Sequence, residues 1–313
     1  MIRLLQRTRA VRGRVGRARQ CRAFSGDNGE KLKFLVLDGY SVAGRQNLAE
    51  NNVALAGELY AKMLDRHSPV PTSSDIVFPA DDDFKMPDIS QYHGVAWTGS
   101  SLTIFSGEEI VDKQIDVCGE LFELGIPQFG SCWALQIAVT AAGGVCALNP
   151  NGREMGLARK IRLTSRGESH PMFEGKPSVF DAWTSHNDEV THMPPNSLIL
   201  AGNQHSHIQA ACVQHKKGNF WAVQYHPEYD LNDLSRLTEC RKEKLTEMGF
   251  FESENEADNY VARMDQLYKN PTRKDLRWEL AIDDDVLDEN IRCIEVKNWI
   301  AKEAMPYMRL QNN

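Results

Sequence analysis

"GIPQFGSCWALQIAV", residues 125–139, places a short apolar run and a glycine before Cys132 and a stretch of helix formers after it. Strand, tight turn and helix in that order are the setting in which a turn residue becomes an exposed nucleophile. The helix start adds backbone N–H groups and a positive dipole end, both of which favour a thiolate. Cysteine is also among the most buried residue types, so this stretch alone leaves a core thiol and a nucleophile both open.

Outward from the elbow, strands and helices alternate. "KLKFLVLDGY" (31–40) predicts a buried first strand closed by Asp38-Gly39. The spacing of Leu48, Val53, Leu55, Leu59, Met63 and Leu64 predicts one helix over 47–66. "DIVFPA" (75–80) and "GVAWTG" (94–99) read as short strands, and 107–125 as a helix stopped by Gly125. "SVFDAWTSH", "SLILAG", "IQAACVQH" and "FWAVQYHPE" are strand-like, whereas 231–313 is helical and charged. The expected fold class is α/β, a largely parallel central sheet flanked by helices. Residues 31–230 form the main domain and 231–313 a helical C-terminal extension.

Composition excludes several functions. With 42% hydrophobic and 25% charged residues, the 313-residue chain has the balance of a globular protein. It contains no apolar run of about eighteen residues, so no membrane-spanning helix is expected. A net charge of −7 does not suit nucleic acid. Residues 1–26 differ, with eight arginines and no acid. They read as a transit peptide ending near "RAFS", which predicts a mitochondrial matrix location; a disordered basic tail on a cytoplasmic protein is the alternative. Seven cysteines without CxxC spacing suit a reducing compartment. No metal site or cofactor is expected: no P-loop is present, and the His205/His207 pair has no further ligand beside it.

A thiol nucleophile needs a base, and the base needs an orienting group. "WAVQYHPEYD" supplies both: in an extended segment His226 and Glu228 project to the same side, so the carboxylate can hold the imidazole. His186 with Asp188 has the look of a second dyad but is not assigned as a base. The acidic runs at 81–84 and 283–285 read as exposed loops. Ile291, Ile294, Trp299 and Ile300 form an apolar stripe that packs on the parent domain or, alternatively, on a partner.

With "AVQYHPE", "GVAWTGSS" and "AWTSHNDEV" (182–190) beside the elbow, residues 33–230 resemble the class I, or triad-type, glutamine amidotransferase family. The motifs are closest to the glutaminase domain of GMP synthase. The resemblance implies that Cys132 attacks the γ-amide carbon of glutamine, His226 gives a proton to departing ammonia, and Glu228 holds the imidazole. Water then hydrolyses the γ-glutamyl thioester. It further implies an oxyanion hole at Gly99, Ser100 and the Trp133 N–H, and substrate contacts at Gln136, Ser185 and His186. Two features depart from the family: Ala134 replaces a common glycine, predicting strain at the turn, and the oxyanion loop reads Thr98-Gly99-Ser100-Ser101.

The implied ligand is glutamine or another γ-glutamyl compound, and the implied partner an ammonia-accepting synthase subunit or a second copy of the chain. Residues 231–313 are too few for an ATP-using synthetase. Three readings stay open: glutamine hydrolysis, hydrolysis of γ-glutamyl peptides or amines, and a non-catalytic glutamine sensor. The bulk of Trp97, Trp133 and Tyr225 near His226 favours glutamine.

Overall fold

A computed structural model describes residues 30–312. The transit-peptide reading of 1–26 lies outside those residues. Eleven strands are present among them: β1 Leu32–Leu37, β2 Thr72–Val77, β3 Gly94–Trp97, β4 Gln128–Ser131, β5 Val145–Leu148, β6 Glu154–Leu163, β7 Val179–His186, β8 Asp188–His192, β9 Leu198–Gly202, β10 Ala210–His215 and β11 Gly218–Val223. Nine form one sheet in the order β2-β1-β3-β4-β11-β10-β9-β6-β7, and β5 pairs with β8. The strands from β2 to β11 in that order run parallel, while β10, β9, β6 and β7 continue as an antiparallel wing. The expected α/β class with a parallel core is thus observed.

Alternation along β1 explains why it is apolar throughout. Phe34 and Val36 enter one core with Tyr60, Met63 and Leu64, while Leu35 and Leu37 enter the opposite core with Val111, Leu121 and Leu135. A strand covered on both faces needs apolar side chains at every position. The first face is covered by α2, Ala56–His67, and the second by α3, Glu109–Leu124, and α4, Trp133–Ala141. Gly125 ends α3 at φ 76°, as the sequence suggests.

The single helix expected over 47–66 is two. The first, α1, is Val42–Glu50, and the chain then breaks at Asn51-Asn52, with Asn52 left-handed at φ 55°. Asparagine tolerates that conformation better than most residues, which lets the break override the apolar spacing. β6 was not apparent in the sequence because "EMGLARKIRL" mixes charged residues into its ten positions.

The helices after residue 230 divide into two groups. Leu231–Cys240, Lys242–Glu247 and Glu254–Lys269 lie on the site side, where Leu234, Leu237, Val261 and Met264 pack with Tyr40, Leu48 and Trp183. The last group returns beneath the sheet. Trp299 and Ile300 of the predicted stripe are fully buried there; Gly94 makes room, since a Cβ on it would lie 2.8 Å from the Trp299 ring. Ile291 and Ile294 are half-buried. The same group carries Glu295, whose carboxylate holds the buried Lys176 ammonium at 3.0 Å and the Tyr225 hydroxyl.

Candidate active site

Four parallel strands end at one edge of the sheet and deliver the site. β3 runs into Thr98-Gly99-Ser100, β4 into Cys132, and β11 toward His226, while β1 ends at Asp38-Gly39. Because β4 lies between β3 and β11, Cys132 emerges between the Gly99 loop and the segment bearing His226. Ligands bind beyond the carboxyl ends of such strands.

Cys132 is the strained point. Its φ of 54° and ψ of −100° are unusual for a residue with a Cβ, a conformation of order 1–3 kcal/mol. The Cys132 N–H donates to the Val223 carbonyl at 2.7 Å, and α4 begins at the next residue. The strain expected at Ala134 is not found there. A Cβ at position 130 would lie 2.3 Å from the Ala134 methyl and 2.6 Å from the Trp97 carbonyl oxygen, so Gly130 leaves the space that Ala134 fills. The glycine on one side of the thiol accommodates the alanine on the other.

His226 and Glu228 do pair, though not by strand alternation. β11 ends at Val223, and His226-Pro227-Glu228 form a turn. Within it Nδ1 of His226 lies 2.6 Å from Oε1 of Glu228. Ser131 Oγ donates to the same oxygen at 3.1 Å and itself accepts from the Tyr60 hydroxyl at 2.6 Å. The Tyr229 ring stacks on the imidazole at 4.2 Å, and the His226 N–H donates to the Trp183 carbonyl at 2.8 Å. Burial, the largest single influence, lowers the imidazole pKa, but the Glu228 charge and the bonds to Cys132 and Glu228 outweigh it and raise it to about 10. With Nδ1 on Glu228, the ring nitrogen facing the sulfur is Nε2. Gly99 keeps this space open: a Cβ there would lie 3.0 Å from Cε1 of His226 and 3.7 Å from Cβ of Cys132.

A cavity of about 350 Å³ opens onto Cys132. Ser100, Trp133, Gln136, Ser185 and His186 line it, so those predicted residues meet there, and Gly99 lies beside it against Cys132. The Trp133 N–H stands in the first turn of α4, where backbone donors have no helical partner. The Ser185 carbonyl is 3.9 Å from the Cys132 sulfur.

His186 is not a second dyad with Asp188. Its Nε2 lies 2.9 Å from Oε2 of Glu154, thirty-two residues away, and its Nδ1 is 2.9 Å from the Asp188 main-chain oxygen. His205 occupies a turn, its ring against the Gly152 carbonyl at 3.2 Å. The acidic runs serve the fold: Asp81 pairs with Arg45 at 2.7 Å, and Asp284 bonds Arg277 at 2.8 Å.

Among the cavity residues that sequence reading missed are Arg153 and Arg241, with Cys240, Leu245 and Met248 of the extension. No local motif marks them, because β6 and the extension reach the site only through tertiary packing.

The family model for class-I glutamine amidotransferase matches residues 82–238. A γ-glutamyl-L-1-hydroxyisopropylamide hydrolase from Pseudomonas sp. is 30% identical over 284 residues, covering 88% of this chain and 95% of that protein. The chain belongs to the class I glutamine amidotransferase family. A GMP synthase from Thermosipho africanus is 36% identical over 108 residues, which are 34% of this chain and only 20% of that enzyme. Among solved structures, a glutamine amidotransferase from Thermotoga maritima superposes with a TM-score of 0.59 at 13% identity, covering 87% of this chain and 98% of its own. That likeness concerns the fold. As a family member, the chain is an enzyme of the amidohydrolase and amidotransferase kind.

Proposed function

We propose that this chain is a free-standing hydrolase of γ-glutamyl amides, with Cys132 as nucleophile, His226 as proton carrier and Glu228 as the group that orients the imidazole. The observation that carries this reading is the relative that matches 88% of the chain, more than the domain without its extension, and is itself a γ-glutamyl amide hydrolase. The GMP synthases share only a fraction of their length with it. In the proposed reaction the Cys132 sulfur attacks the γ-carbonyl carbon and the oxyanion rests on the Trp133 N–H and one from the Gly99-Ser100 turn. His226 protonates the departing amine as the C–N bond breaks, leaving a γ-glutamyl thioester. Water, giving a proton to His226, releases glutamate and restores the thiol.

Of the aromatic residues whose bulk favours free glutamine at the sequence level, Trp97 and Tyr225 do not line the cavity, and Trp133, which does, turns its indole N–H away into the core. The Trp97 indole N–H donates to Gln128 at 2.9 Å, the Trp133 indole to Gln114 at 2.9 Å, and the Tyr225 hydroxyl to Glu295, all in the core. A volume of about 350 Å³, within the ordinary range for small-ligand pockets, supports a leaving group larger than ammonia.

The test is glutamate release by the purified chain from glutamine, γ-glutamyl alkanolamides and γ-glutamyl dipeptides, with Cys132→Ser as control. Faster turnover of the substituted amides is expected. Turnover of glutamine alone would return the reading to a glutaminase serving a partner synthase. No turnover, with ligand binding unchanged in Cys132→Ala, would favour the sensor.

A further inference from the structure

Arg153, at the head of β6, and Arg241, at the end of Leu231–Cys240, come from parts of the chain that share no motif, yet they converge on one atom. Arg153 Nη2 and Arg241 Nη1 each donate to the Ser185 Oγ at 2.8 Å. Arg153 also donates to the Asn187 side-chain oxygen at 3.2 Å, its Nε is buried without a partner, and Arg241 also reaches the Tyr40 hydroxyl. Among the described residues neither guanidinium forms an ion pair with a carboxylate. Asp188 is near enough to act on Arg153 through space without bonding to it. Both arginines and Ser185 line the cavity that opens onto Cys132.

Two cations sharing a single neutral hydroxyl repel one another, and half-buried charges are normally paired. The hydroxyl accepts from both, so its own hydrogen is left to point at a third group. The arrangement presents two planar forks and one O–H donor toward the same empty space. A carboxylate matches it, because its two oxygens accept parallel bonds from guanidinium groups and its charge compensates both.

Reach is also suitable. The γ-glutamyl group bound at Cys132 carries an α-carboxylate four C–C bonds from the attacked carbon, a span of about 5 Å. Ser185, whose carbonyl stands 3.9 Å from the sulfur, holds the arginines next to that span.

We propose that Arg153, Arg241 and Ser185 form a clamp for a substrate carboxylate, and that the C-terminal extension is required for substrate specificity because it supplies Arg241. The clamp rests on the hydrolase reading for what the cavity binds. The carboxylate has two possible sources, the α-carboxylate of the glutamyl head or a carboxylate on the departing amine.

Binding by the full chain carrying Cys132→Ala separates the clamp from the chemistry. Calorimetric titration is made with L-glutamine, L-glutaminamide (the α-carboxylate capped), γ-glutamylglycine and γ-glutamylmethylamide, and repeated with Arg241→Gln and with Arg241→Lys added. If the α-carboxylate is clamped, glutamine binds about tenfold or more tighter than glutaminamide, and the gap closes with Arg241→Gln. If the leaving group's carboxylate is clamped, the gap lies between γ-glutamylglycine and γ-glutamylmethylamide and closes in the same way. Arg241→Lys, which keeps the charge and loses the fork, retains part of the gap. Damage to the fold would instead weaken all four ligands alike. Absence of both gaps, a gap that survives Arg241→Gln, or failure of every compound to bind overturns the clamp. Glutamate release by the unmutated chain reports on the hydrolase reading independently: clamp binding without turnover sinks that reading alone, and turnover with an unaffected gap sinks the clamp alone.

Discussion

His226 and Glu228 meet at 2.6 Å, and His186 and Glu154 meet at 2.9 Å, both pairs buried within the same site. They differ in what the remaining ring nitrogen faces. In His226 it faces the Cys132 thiol, so a proton can pass along the ring's axis. In His186 both nitrogens are engaged, one by Glu154 and one by the Asp188 carbonyl. Glu154 in turn accepts from Asn203 at 2.7 Å and Gln209 at 2.8 Å. In the proposed reaction the histidine with a carboxylate at one nitrogen and a thiol at the other serves as the base, and the one with both nitrogens engaged as a strut.

The largest expected break of this comparison is at the imidazoles themselves. His226→Ala should reduce kcat by roughly a hundredfold to ten-thousandfold, the usual share of a general acid–base group. His186→Ala should instead act mainly on KM and stability, and equal kcat losses measured by glutamate release would erase the distinction between the two pairs.

Exchange of the carboxylates sharpens it next. Glu228→Gln is expected to cost about a hundredfold in kcat with Tm little changed, through loss of imidazole orientation. Glu154→Gln, which disturbs two buried bonds and one part-buried bond, should cost on the order of 1–3 kcal/mol of stability, with kcat lowered much less. A thermal melt beside a rate assay reads both.

The pH dependence of stability is a smaller effect with a definite sign. The His226 pKa rises from 6.5 to about 10 on folding, so its stabilisation is fully present below pH 6.5 and lost as pH climbs through 10. Tm should therefore fall between pH 7 and pH 10 in the wild type, and Glu228→Gln should flatten that fall. An unchanged slope would remove the charged pair as its cause.

The smallest change is expected from Ser131→Ala, which takes one bond from the Glu228 carboxylate and the acceptor from Tyr60. About 1 kcal/mol of stability and a few-fold loss in kcat are predicted. A loss as large as that of Glu228→Gln would make Ser131 a principal positioning group.

The sequence by itself determined the parts whose physics is local. Apolar runs that must be buried on both faces gave β1 and β3, the Gly125 stop gave the end of α3, and a glycine before a cysteine before helix formers gave the elbow. His226 and Glu228 were legible because two residues in one turn can pair without help from elsewhere, even though the turn is not the strand expected. Tertiary structure alone decided the rest. Asn52 broke a helix that its apolar spacing would have continued. Gly130 absorbed the methyl of Ala134, a fit between residues on two elements. His186 took its partner from β6 rather than from its neighbour, and Arg241 reached Ser185 across fifty-six residues of chain. Such contacts depend on where separate elements are brought to lie by burial of their apolar faces, and no short stretch of sequence contains that information.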